Sequence, residues 1–130
     1  MKKKPEKVIA DFVKDGAQRI TDAHITYAIG KADKIKYKFS HEAIFLRFKD
    51  DVDFLISLVE DYCSEEYKEV SDFTIKAIVF TLLYVLEPLD RLPDAIPVVG
   101  YTDDYSIVLK CLKLVEREFN QYKEWKSQQS

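Results

Sequence analysis

The chain reads as an all-α protein, a single compact domain of four or five helices with a proline-rich loop between the last two. Three observations point there. Apolar residues recur three and four positions apart over most of the 130 residues, which is the period of one helical face. No stretch alternates apolar and polar as a half-buried strand does. Ser, Thr or Asp stands where successive apolar runs begin, and Gly where one ends. A chain of this length with 47% hydrophobic residues buries one core and is too short for two ordinary domains, so residues 1–130 form one unit.

The first helix spans 6–29, where Val8, Phe12, Ile20, His24 and Tyr27 fall near helical spacing. Pro5 suits its first turn and Gly30 its stop, while Gly16 weakens its middle. The next segment, 31–38, carries four lysines and little apolar periodicity, and reads as a connector or a frayed helical end. Ser40 caps a second helix with Ile44, Phe48, Val52, Leu55, Val59 and Tyr62 on its inner face and a break around Asp50 and Asp51. Ser71 or Asp72 caps a third, ending at Leu86. It is apolar on nearly every side, as a central helix must be. Thr102 caps the last helix, with Asp103 and Asp104 in its first turn, where carboxylates favour the positive end of the helix dipole. Its inward stripe is Ile107 or Val108, Cys111, Val115, Phe119 and Tyr122, and residues 126–130 form a frayed tail.

The connection between the third and last helices concentrates Pro88, Pro93, Pro97, Gly100 and four aspartates. Each proline fixes φ, removes a donor and pushes the preceding residue out of the α region, so the three together specify one path. Pro88, Asp90, Pro93, Asp94, Ile96, Pro97, Gly100, Tyr101, Asp103 and Asp104 stand in an order and spacing that resemble the signature of the YkvA-like family, bacterial domains of unknown function. The apolar helix before them is also similar to that family's, so the resemblance covers 73–114. Glu87 and Arg91 depart from the usual pattern, placing charges where Ser or Leu and an apolar residue are common. The resemblance implies a small helical protein, often membrane-associated, with no established activity.

Chemistry has few candidates. Asp90, Asp94, Asp103 and Asp104 are hard oxygen ligands suited to Mg²⁺ or Ca²⁺, and with one of these as cofactor the chain reads as a metal-binding protein or metal-dependent hydrolase. Their spacing is not that of an EF-hand. The structural alternative has Asp90 and Asp94 accepting from turn amides, Arg91 pairing with one of the acids, and Asp103 and Asp104 serving the last helix. His24 on the first helix and His41 after a cap have no triad-like or HExxH-like neighbours. Cys63 and Cys111 read as buried reduced thiols, and Cys111 lies too deep in its helix for dipole activation.

The formal charge of −3 argues against a nucleic-acid partner. The basic start 1–7 is followed by Asp11, Lys14 and Asp15, so no signal-peptide core forms. The uncharged run 77–86 is about half of the ~20 residues that span a bilayer. The leading expectation is therefore a non-enzymatic protein, cytoplasmic or membrane-peripheral, without cofactor. It recognises an unidentified protein partner through 88–104, with Pro88, Asp90, Arg91, Pro93, Asp94, Pro97, Gly100 and Tyr101 as the contact residues. Peripheral contact with an anionic membrane would use the lysines at 2, 3, 4, 7, 31, 34, 36 and 38, with Ile35, Tyr37 and Phe39 supplying apolar contact. If the Asp94 carboxylate satisfies turn amides, Asp94→Ala lowers stability by about 1–2 kcal/mol in chemical denaturation; a neutral effect rejects that role.

Overall fold

Residues 5–87 and 104–129 are described by the structure, a computed structural model. They form α1 (Pro5–Gln18), α2 (Asp22–Gly30), α3 (Ala32–His41), a 3₁₀ segment (Ala43–Phe48), α4 (Lys49–Cys63), α5 (Asp72–Leu86), α6 (Asp104–Leu114) and α7 (Glu116–Ser127). The all-α class holds, but seven α-helices among the described residues replace the four or five expected. The proline-rich segment 88–103 lies outside the described residues.

Each extra helix has a local cause. The expected first helix breaks after Gln18, where Arg19 N donates to Gly16 O and Ile20 N to Ala17 O. Thr21 then adopts extended φ/ψ and restarts the chain as an N-cap: His24 N donates to Thr21 Oγ1, and Thr21 N donates to His24 Nδ1 at 2.9 Å. This is a capping box with His in the place of Glu, so His24 closes a helix end instead of lining a helix face. Gly30 does end α2, and α3 begins two residues later. The 31–38 segment is thus helical, its lysines having masked an inward set at Ala32, Ile35 and Phe39. Ser40 is not a cap; its hydroxyl donates to Tyr37 O at 3.0 Å in the last turn of α3. The expected break near Asp50 falls at Phe48, where the 3₁₀ segment passes into α4. The last helix divides at Val115, although Cys111, Val115, Phe119 and Tyr122 all face inward as predicted. α7 continues to Ser127, into the stretch expected to fray.

α5 is the axis of the fold. Thr74, Ile75, Val85 and every residue from Ala77 to Leu83 are buried, because α1, α2, α3, α4 and α6 all pack on it. α7 lies against α4 and α6 at the rim. Cys111 is buried against α5, its thiol donating to Ala77 O at 3.6 Å; burial pushes its pKa up to about 11, against the pull of neighbouring Thr81. It is inert. Cys63, by contrast, is exposed, which corrects the reading of two buried thiols.

α1 packs tightly on α5 at Gly16. A Cβ on Gly16 would stand 2.3–2.5 Å from three atoms of the Phe80 ring, and Phe80 is fully buried, with Phe12 against it ring to edge at 5.4 Å. Glycine inside α1 is therefore a packing requirement. Gly16→Ala gains helix propensity of ~1 kcal/mol but overpacks the site by about 1–3 kcal/mol. Net destabilisation is the expected result in urea melts, and a more stable variant would show that the ring gives way.

Candidate interaction surface

The expected contact residues Pro88, Asp90, Arg91, Pro93, Asp94, Pro97, Gly100 and Tyr101, and the ligand candidate Asp103, lie outside the described residues, so their convergence is not placed. Of the four aspartates only Asp104 is described. It opens α6; burial raises the Tyr84 phenol above its ordinary value, and the Asp104 charge adds to this. Among the described residues no three His, Cys, Asp or Glu side chains gather as a metal site.

What is described is how both flanks of that segment are held. Glu87 leaves α5 at φ −140° and ψ 76°, outside the α region that a following proline disfavours. Its carboxylate accepts the Tyr27 hydroxyl at 2.7 and 2.9 Å, and its amide still donates to Leu83 O at 2.8 Å. α2 thereby fixes one flank. At the other, the Tyr105 ring packs on Phe48 at 5.1 Å, and Arg47 both overlies that ring and donates to its hydroxyl. The 3₁₀ segment fixes this flank. Both clasps join residues about sixty positions apart, and no local pattern announces them.

The same 3₁₀ segment carries an apolar edge. With three residues per turn, Phe45 and Phe48 point inward together and are buried, which turns Ile44 and Leu46 outward. Ile44 is 55% and Leu46 51% exposed, and Tyr37 on α3, stacked on His41, is 64% exposed. Ile44 was expected in the core; the 3₁₀ twist, invisible in a 3.6-residue pattern, moved it to the surface. Ile35 and Phe39, expected as apolar contacts, are core residues instead, leaving Tyr37 as the surface member of that set.

The opposite end of the molecule is closed internally. The Glu118 carboxylate on α7 accepts from Ser71 N at 2.9 Å, Ser71 Oγ at 2.6 Å and Thr74 Oγ1 at 2.5 Å, and so occupies the positive end of α5. Asp61 on α4 accepts the Tyr122 hydroxyl at 2.7 Å and Lys126 Nζ at 2.9 Å, and the Tyr122 phenol is raised by burial and by this carboxylate. Between them, Tyr67 from the connection packs on Tyr122 and Trp125.

Residues 74–109 match the profile of a family described as a protein of unknown function (DUF1232). The chain is 28% identical over 71 residues, 55% of its length and 67% of the relative's, to a protein of Bacillus subtilis (strain 168) named an uncharacterized membrane protein YkvA. No solved structure matches. No described helix is long and apolar enough to cross a membrane.

Burial raises the Glu118 carboxyl, but the bonds from Ser71 and Thr74 and the nearby Arg117 charge bring it below its ordinary value. A depressed carboxyl stabilises the fold above its unfolded pKa and loses that contribution as pH falls through the folded value. Glu118→Gln is expected to be less stable near neutrality and to lose less stability on acidification below pH ~4.3 than the parent, read from paired denaturation series. Parallel pH profiles would show that the cap carries no charge-dependent stability.

Proposed function

With residues 74–109 and the Bacillus relative supporting a place in the YkvA-like family, we propose a non-enzymatic interaction domain at the membrane periphery that offers 88–104 to a protein partner. The observation that carries this reading is the pair of clasps, Tyr27 on Glu87 and Arg47 with Phe48 on Tyr105. Two independent elements spend side chains on the flanks of one connection, which sets its take-off directions, and segments positioned by a rigid scaffold are favoured recognition sites. The relative's name supports the membrane periphery, and the short described helices favour attachment over spanning. The domain is cytoplasmic in this proposal, and divalent metal plays no part in it.

A photoreactive phenylalanine analogue at Tyr101, activated in the source cell, should yield a discrete protein adduct in the membrane fraction. Tyr27→Phe, which keeps the ring and removes the hydroxyl bonds to Glu87, should reduce that adduct. No adduct, or one indifferent to Tyr27→Phe, would sink the reading. A rise in melting temperature with Mg²⁺ or Ca²⁺ would instead revive the aspartates as ligands.

A further inference from the structure

We infer that the edge formed by the C-terminal half of α3 and the 3₁₀ segment docks on an anionic lipid surface, Ile44, Leu46 and Tyr37 entering the interface while neighbouring lysines meet the headgroups. This rests on the membrane-peripheral reading and names the surface that achieves it.

The apolar residues here lie outside the core. Phe45 and Phe48 already anchor the 3₁₀ segment in the core, so Ile44 and Leu46 stand on a firmly held base and leave about half their surface in solvent on either flank of Phe45, with Tyr37 nearby in sequence. Exposed apolar groups ringed by polar ones mark interaction sites.

Charge selects the occupant. Between residues 31 and 51 there are six cations, Lys31, Lys34, Lys36, Lys38, Arg47 and Lys49, against four acids, Asp33, Glu42, Asp50 and Asp51. Glu42 is engaged by Lys38 at 3.6 Å and Asp51 by Lys123 at 4.0 Å, while Lys34, Lys36 and Lys49 are exposed. α4 separates this end from its opposite: its 15 residues run about 22 Å from Lys49. Beyond them come Glu65, Glu66, Glu69 and Asp72, all exposed, against Lys68 and Lys76, which pair with Glu65 at 4.0 Å and Asp72 at 3.0 Å. A chain of net charge −3 is therefore polarised along α4, cationic at one end, where the most exposed large apolar side chains of the described residues stand, and acidic at the other. An anionic surface attracts the first end and repels the second, so a bilayer fixes the orientation as well as the contact.

The test is flotation of the full chain with vesicles of phosphatidylcholine alone or with about a third phosphatidylglycerol, at ~0.01 M and ~0.1 M salt. Binding is expected to the anionic vesicles, weakening as salt rises. The pair Ile44→Asp and Leu46→Asp should bind at least about tenfold more weakly. So should Lys34→Glu with Lys36→Glu, and circular dichroism should show both folded. An environment-sensitive dye on Leu46→Cys, in a Cys63→Ser background, should shift on vesicle addition; the same dye on native Cys63, at the far end of α4, should not.

Equal binding by parent and aspartate variants overturns the proposal, as does a shift at Cys63 without one at position 46. Failure of the parent to bind anionic vesicles at low salt also overturns it and leaves the edge to an acidic protein. An adduct at Tyr101 with no vesicle binding rejects this edge alone; vesicle binding with no adduct rejects the protein partner alone.

Discussion

Every described helix except α7 owes its position to α5, and α5 owes its own to the absence of a side chain at Gly16. A helix buried on nearly every side has no polar face to orient it, so its rotation is fixed by shape. The Phe80 ring lying over Gly16 supplies that shape. α1 packs on α5 there, and α6 packs against both.

Polar groups act where the core leaves helix ends open. The four leading amides of a helix and its last carbonyls need partners; Thr21 with His24 caps α2 and Ser71 caps α5 locally, and longer-range side chains add to these. Glu118 reaches α5 from α7, and Asp61 holds α7 through Tyr122 and Lys126. Each bond lies at the margin of the core, where water screens only part of the charge. Their contribution is to fix which ends meet, while burial supplies the bulk of the stability. Glu65 marks the one described non-glycine residue with left-handed φ, at 67°, where α4 ends and the chain turns back towards this cluster.

The helical class, the central helix with its Ser71 cap and the stripe from Cys111 to Tyr122 were legible because apolar spacing and local caps are written within a few residues. Helix number was not. Thr21 and His24 form a capping box whose acceptor is imidazole, so the usual Glu or Gln signal is missing. Lysines at 34, 36 and 38 hid the inward set of α3, and a 3₁₀ period sent Ile44 outward against the 3.6-residue pattern. Of the candidate surface, the proline signature and the lysines could be read in advance. The clasps on Glu87 and Tyr105 could not, since each pairs residues brought together only by the packing of distant helices.

The closures at the two ends of α5 bear on how this helix opens. Ser71 and Thr74 are tied to Glu118 at one end, and Glu87 to Tyr27 at the other. Fraying, the usual low-energy route by which amide protons reach solvent, is therefore opposed from both directions, and the interior of α5 is covered by five neighbours. Its amides are expected to exchange chiefly through unfolding of the whole domain, so deuterium uptake along α5 would report global stability.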